Sequence, residues 1–173
     1  MNDYEELLTR LKDIDLVNQI GGLLGWDQEV LMPPKAASLR AEQLSWISRT
    51  GHEKLTNPRI GELLKALEER NDLDEIQMGN IRLARDSYDK ATKIPTNFVA
   101  EMAMHKSKSQ ISWTRARAEN DFSIFRDDLV KMVEMSRQKA DYLGYDDVRY
   151  DALPDLYLSL IHVSEPTRQW SIS

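Results

Sequence analysis

Histidine and glutamate at helical spacing are the residues of this sequence that could bind a metal ion. The segment GHEKLT resembles the start of the zinc-protease motif HExxH, whose two histidines lie one helical turn apart and bind one ion. Thr56 occupies the position of the second histidine, so we interpret His52 as a surface histidine near a helix end. Glu101 and His105 also lie one turn apart, but the pattern offers no third ligand.

Other catalytic arrangements are equally hard to find in the sequence. There is no cysteine to act as a thiol nucleophile, and no Glu-x-x-His pair of the kind that holds two metal ions in a helical bundle. Gly21, Gly22 and Gly25 lack the lysine and the preceding strand of a phosphate-binding loop. The sequence therefore predicts no metal ligand and no catalytic residue in this chain.

The segment LGWDQEVLMPPKAASLR, residues 24–40, differs from the helical patterns on either side of it. We interpret Trp26 to Pro34 as a connection between two helices. A structural explanation fits these residues, with Trp26 packed under a loop, Asp27 capping a turn and the two prolines stiffening entry to the next helix.

Apolar residues at helical spacing predict the elements that position these side chains. The first helix is predicted from Tyr4 to near Gly21–Gly25, and the second from Leu39 to Leu55. Asn57 followed by Pro58 predicts the capped start of a third helix, and Asp72 is the predicted cap of the fourth. Two further helices contain, in order, the following apolar positions: Phe98, Met102, Trp113 and Ala116, then Phe122, Phe125, Leu129, Met132, Val133, Ala140 and Leu143.

Pro95 is predicted to close the fourth helix and Gly144 to end the last one. Period-two alternation is absent, so the sequence predicts an all-α bundle of about six helices with short connections. The aromatic residues Trp46, Trp113, Phe122 and Phe125 are interpreted as core rather than as a ligand-binding box.

Composition limits the partners of the chain. The 173 residues carry a formal charge of -6, and 41% are apolar and 30% charged, as in helix-rich globular domains. Without a cluster of basic residues, neither nucleic acid nor an anionic membrane is expected as the main partner. The sequence has no apolar run long enough to span a bilayer and no signal peptide at its start, so we expect a cytoplasmic protein.

Four segments in order resemble the N-terminal region of the thermostable carboxypeptidase family, also called the carboxypeptidase Taq family. They are LGWDQEVLMPPKAASLRAEQL, RDSYDKATKIP, SWTRARAENDFSIFRDDLVKMVEMSRQKADYLGY and YDALPDLY. The resemblance covers about residues 4–157 and includes the run of Trp113, Ala116 and Arg117.

This resemblance implies a zinc metallocarboxypeptidase that removes single residues from the C-termini of peptides. It also implies a homodimer of all-helical, saddle-shaped subunits, of which residues 1–157 would form the N-terminal part. In the family, an HExxH helix and a later glutamate bind zinc downstream of the matched region, so no catalytic residue can be assigned here and no zinc is expected on this chain. The resemblance also places the N-terminal helices along one side of the substrate cleft, which makes Trp26 and Asp27 candidates for contact with a substrate, with the structural explanation given above as the alternative. We expect the chain to be inactive alone. The alternative is a helical protein-interaction module derived from such an enzyme, presenting the apolar seam from Phe122 to Leu143.

Residues 158–173, LSLIHVSEPTRQWSIS, depart from the family pattern, which continues with Glu-Pro-Gly at this point. The segment resembles translated sequencing-adapter read-through of the kind appended to proteins from fragmentary assemblies. We therefore predict that residues 158–173 are not native and that His162 has no functional role.

Overall fold

The computed structural model describes residues 2–156, and the regular structure of that part is helical. Its α-helices are α1 (Asp3–Val30), α2 (Ala37–Leu55), α3 (Pro58–Glu68), α4 (Glu75–Thr92), α5 (Thr96–Glu119) and α6 (Ser123–Leu143). Short 3-10 turns cover Pro34–Ala36, Arg149–Ala152 and Pro154–Leu156. The all-α class and the six helices are confirmed.

The described part of the chain divides into two compact units, residues 2–132 and residues 133–156. The first unit holds α1 to α5 and the start of α6. The predicted boundary after residue 157 and the segment 158–173 lie outside the described residues, and both remain predictions.

Helix ends follow local side-chain chemistry. Asn57 accepts a hydrogen bond from the backbone N–H of Arg59 (2.9 Å) with Pro58 at the first helical position, as predicted for α3. Gly144 follows α6 with φ +85°, the left-handed conformation that glycine adopts at little cost, and this helix end is confirmed.

The predicted cap of α4 is wrong by two residues. Asp74 caps the helix, accepting from the N–H of Gln77 while the Gln77 side chain accepts from the N–H of Asp74. The Asp72 carboxylate instead accepts two hydrogen bonds from Arg70, at 2.8 and 2.6 Å. Both aspartates have a suitable residue three positions later, so the competing arginine is the feature that distinguishes them.

The prediction that α1 ends near its glycines and that a connection begins at Trp26 is wrong, because α1 continues to Val30. Each mid-helix glycine costs about 1 kcal/mol relative to alanine, an amount that contacts with other helices can offset. The helix ends where Met32 precedes Pro33, since the residue before a proline disfavours helical dihedral angles. Trp26 and Asp27 therefore lie in the last turns of a helix rather than in a loop.

The core of the first unit lies where α1, α3 and α4 meet. Its buried members are Leu7 and Ile14 of α1, Ile60, Leu63, Leu64 and Leu67 of α3, and Ile81 and Ala84 of α4. Gly61 allows α3 and α4 to approach closely, because a Cβ at this position would lie 2.6 Å from Tyr88 Oη and 2.9 Å from its Cζ. Helix α2 packs against α1 and α5 and joins this core to the rest of the unit.

Candidate functional site

Trp26 and Asp27 lie side by side on α1 but in different environments. The Trp26 residue is 53% exposed. The Asp27 side chain accepts a hydrogen bond from Nη2 of Arg40 on α2 and is 32% exposed, whereas the Arg40 side chain is only 11% exposed. Trp26 is thus available to a partner or ligand, whereas Asp27 takes part in a contact between two helices.

Arg40 donates hydrogen bonds to three acceptors, two of which lie on α1 and link its end to the start of α2. Besides Asp27, its Nη1 donates to the backbone carbonyl of Leu24, and its Nε donates to Gln43 Oε1 at 3.0 Å. A planar guanidinium can serve several acceptors at once, which a lysine ammonium cannot do with the same fixed geometry. The contact fixes the last turns of α1 against α2.

Gln28 and Ser107 make a second polar contact, which joins α1 to α5. The Ser107 hydroxyl donates to Gln28 Oε1, and Gln28 Nε2 donates to the Ser107 carbonyl at 3.3 Å. They border a groove of about 290 Å³ between α1, α2 and α5, into which Gly21 and Gly25 also open. No local pattern in the sequence predicts this pair, because the two residues are 79 positions apart.

His52 is not a surface histidine, and this prediction is wrong. The residue is half-buried near the end of α2, where Nδ1 lies 3.0 Å from Thr96 Oγ1 and Nε2 lies 3.0 Å from the Ala91 carbonyl. Both ring nitrogens are therefore occupied by the α4–α5 junction. His52 holds helices together, with neither nitrogen free for a metal ion.

Glu101 and His105 do not come together as a pair of ligands. Glu101 lies 3.3 Å from Lys131 Nζ, whereas the buried His105 donates from Nε2 to the Asp128 carbonyl at 3.0 Å. Ser109 Oγ lies 3.2 Å from the same nitrogen. Because Nε2 donates to a carbonyl, it cannot accept the proton of the Ser109 hydroxyl. Ser109, His105 and Asp128 therefore do not form the serine–histidine–aspartate arrangement of acyl-transfer enzymes.

A strong electrostatic interaction in the first unit joins α1 to α3. Glu6 accepts from Arg59 at 2.8 and 3.1 Å and from Arg10 at 3.0 Å. The hydrogen bonds from Arg59 are the largest cause, followed by those from Arg10, that lower the pKa of Glu6 from 4.5 to about 2. The three residues connect helices and lie away from any groove described above.

The aromatic residues interpreted as core are largely exposed, and that prediction is wrong for three of them. Trp46, Trp113 and Phe122 are 64%, 42% and 60% exposed. Trp113 lies beneath the guanidinium of Arg117 at 5.6 Å, and Phe122 meets Phe125 edge to face at 6.5 Å. Trp113, Phe122 and Phe125 line a depression of about 350 Å³ at the α5–α6 turn.

Within residues 2–156, no three histidine, aspartate or glutamate side chains are grouped so that they could hold a metal ion. In the same part of the chain, no helix is both long and apolar enough to cross a bilayer.

Comparison with known proteins identifies the family. The model of the carboxypeptidase Taq (M32) metallopeptidase family matches residues 6–165. The chain belongs to this family. Its sequence is 31% identical over 153 residues to thermostable carboxypeptidase 1 of Pyrococcus furiosus, covering 88% of this chain and 31% of that protein. Carboxypeptidase 1 of Bacillus subtilis is 31% identical over 159 residues, covering 91% of this chain and 32% of the relative.

The fold agrees with this M32 membership. The crystal structure of BsuCP superposes with a TM-score of 0.89 at 28% identity, covering 99% of this chain and 35% of BsuCP. The chain therefore spans about a third of the length of the relatives that it matches, and its helices are present in those larger proteins.

Proposed function

We propose that this chain is the N-terminal part of a zinc metallocarboxypeptidase that removes single residues from the C-termini of peptides, and that it has no peptidase activity alone. The observation that carries the proposal is the family match over residues 6–165, together with coverage of only about a third of each relative. Peptide substrates, a homodimeric state and a cytoplasmic location are further parts of the proposal, and they come from the family resemblance and the sequence.

The described residues do not supply a zinc site. Three protein ligands and one open position are typical of catalytic zinc, and no such group of side chains exists among residues 2–156. We therefore assign no step of peptide hydrolysis to a residue of this chain. The proposed zinc ligands belong to the part of the relatives that this chain does not match.

Trp26 and Asp27 remain the candidate substrate-cleft residues. The contact with Arg40 supports a structural role for Asp27. Trp26 is exposed, which is compatible with contact to a substrate in the cleft. In a full-length relative, replacing the residue aligned with Asp27 by alanine should lower the melting temperature with little loss of turnover. Loss of turnover at an unchanged melting temperature would assign Asp27 to the substrate instead.

The reading frame of the source DNA tests the proposal most directly. We expect an independent read across codon 157 to continue into a sequence that encodes an HExxH helix. A read that retains residues 158–173 and a stop codon would contradict both the proposed enzyme and the proposal that this segment is not native. The family match extends to residue 165 and so overlaps the first half of the segment 158–173. The read is therefore most informative over codons 158–165, where the match and the proposal of a non-native segment overlap.

A peptidase assay on the purified chain tests the proposed lack of activity. We expect no release of C-terminal residues from peptides with added zinc. Release that a chelator abolishes would contradict the proposal.

One observation favours the alternative of a helical interaction module, namely the exposed apolar residues Phe122, which directly precedes α6, and Leu129 and Val130 in its first half. Continuation of the reading frame into an HExxH helix would rule this alternative out.

A further inference from the structure

Helix α1 has two apolar faces. Leu7 and Ile14 on the inner face are buried in the core of the first unit. On the other face, Leu16, Ile20, Leu23 and Val30 are each between 51% and 64% exposed. We call these four residues the outer stripe. A helix that is apolar on opposite faces is normally buried in a larger protein.

The spacing of the outer stripe is that of a helix–helix contact. Steps of four, three and seven residues place all four side chains along the a and d positions of a heptad repeat. Asp27 occupies the one remaining a position between Leu23 and Val30, and its carboxylate is engaged by Arg40 of this chain. A neighbouring helix can therefore contact the outer stripe without having to provide a partner for that charge.

The outer stripe is also held in a fixed position. Arg40 binds the carbonyl of Leu24 and the side chain of Asp27, and Gln28 is hydrogen-bonded to Ser107. These contacts fix the half of α1 that carries the stripe against α2 and α5. A partner therefore meets the stripe on a helix that is already formed.

The charges of α1 limit the kind of partner. The helix has no lysine or arginine after Lys12, whereas Asp13, Asp15 and Glu29 lie close to the stripe in sequence. An anionic lipid surface or a nucleic acid would need basic residues at this position. An apolar protein surface fits the stripe better than either.

A second copy of this chain is a weaker candidate for the same surface. Leu16 to Val30 spans about 21 Å at 1.5 Å per residue, which is only two heptads. Coiled-coil pairing is indicated when a heptad pattern continues over roughly three to four repeats. The stripe by itself is therefore too short to hold two copies together.

We propose that the outer stripe is the surface on which the remaining two thirds of a full-length M32 carboxypeptidase pack against this chain. This proposal rests on the proposed function. BsuCP contains the same helices in a chain of which this sequence covers 35%, so a much larger body of protein accompanies them there. Burying four aliphatic side chains against that body would stabilise the whole protein.

A chimera provides the test. In Bacillus subtilis carboxypeptidase 1, residues 6–157 of this chain replace the part of that enzyme that they match, and residues 158–173 are left out because they are predicted not to be native. The double substitution Ile20→Gln and Leu23→Gln is introduced into the chimera and into this chain alone. The control is Ile76→Gln with Leu83→Gln on α4. These two residues are also exposed, but the polar Asn80 separates them and no continuous stripe results.

We expect the stripe variant to lower the melting temperature of the chimera by several degrees and to leave that of this chain alone unchanged, because its side chains face solvent there. The control should change neither protein by more than about 1 °C, the scale of a surface substitution. An unchanged chimera, or an equal loss with the control, would overturn the proposal. So would a chain that is dimeric alone and becomes monomeric with the stripe variant, since a second copy would then cover the surface.

Two further results keep the proposals distinguishable. A chimera that depends on the stripe for stability but releases no C-terminal residues would contradict the proposed function while supporting the packing surface. If the chimera does not fold, binding of a hydrophobic dye to this chain alone tests the proposal instead. The stripe variant should then bind less dye than the control variant, and equal binding would refute the proposal.

Discussion

Replacing Arg40 by methionine should destabilise this chain more than removal of an exposed ion pair. Methionine keeps the apolar stem of the side chain but removes the guanidinium that binds Asp27, Leu24 and Gln43. The Asp27 carboxylate then loses its partner at the end of α1.

The burial of the Arg40–Asp27 ion pair determines how much stability the substitution removes. Breaking a fully buried ion pair costs about 3–5 kcal/mol, and an exposed pair is worth about 0–1 kcal/mol. The Arg40 side chain is 11% exposed and that of Asp27 is 32% exposed, so water can reach the aspartate but hardly reaches the arginine. We expect a loss of about 2 kcal/mol, or roughly 4–8 °C in melting temperature for a chain of this size.

Urea unfolding followed by circular dichroism measures this loss, and Lys54→Met provides the matched control. Lys54 pairs with Asp13 at 3.3 Å, and the two side chains are 43% and 58% exposed. The double variant Arg40→Met with Asp27→Asn should lose less than the sum of the two single substitutions. Equal losses for Arg40→Met and Lys54→Met, or simple additivity in the cycle, would refute the assignment of Arg40 as the link between α1 and α2.

Two further outcomes follow from packing and charge in the first unit. Gly61→Ala should cost roughly 1 kcal/mol net, because the new methyl group overlaps the ring of Tyr88 by more than helix propensity offsets. Gly79→Ala, with open space around its Cβ, should gain about 0.5–1 kcal/mol in the same unfolding assay. Because Arg59 lowers the pKa of Glu6 from 4.5 to about 2, stabilisation by this carboxylate is complete above pH 4.5 and is lost as the pH falls towards 2. The unfolding midpoint of the wild type should therefore approach that of Glu6→Gln across this window, and a constant difference would contradict the pairing.

The features that the sequence predicted correctly are local ones. Asn57 before Pro58 and Gly144 after the last helix act within a few residues, so their effect can be recognised without knowing the fold. The all-α class follows from periodicity summed over long segments, which averages out single errors. The end of α1 was wrong because local propensity penalises Gly21 to Gly25, whereas contacts from α2 and α5 hold the helix beyond them.

The aromatic residues show a second limit of the pattern. Helical spacing shows that Trp113 and its apolar neighbours share a face, but not whether another element covers that face. Prediction of the candidate site from the sequence has the same limit. Trp26 and Asp27 could be selected from the sequence, but the role of Arg40 depends on a contact between two helices that no local pattern encodes.

The two halves of α1 differ in how much of their surface is buried, and this difference should affect how their backbone amides exchange with deuterium. Leu7 and Ile14 anchor its first half in the core, whereas the second half contains three glycines and the uncovered outer stripe. Backbone amides after Gly21 should therefore exchange with deuterium through local opening, while those near Leu7 should exchange only through more extensive unfolding. Packing of a partner on the stripe would slow exchange in the second half selectively, so the amides of one helix would report docking without any substitution.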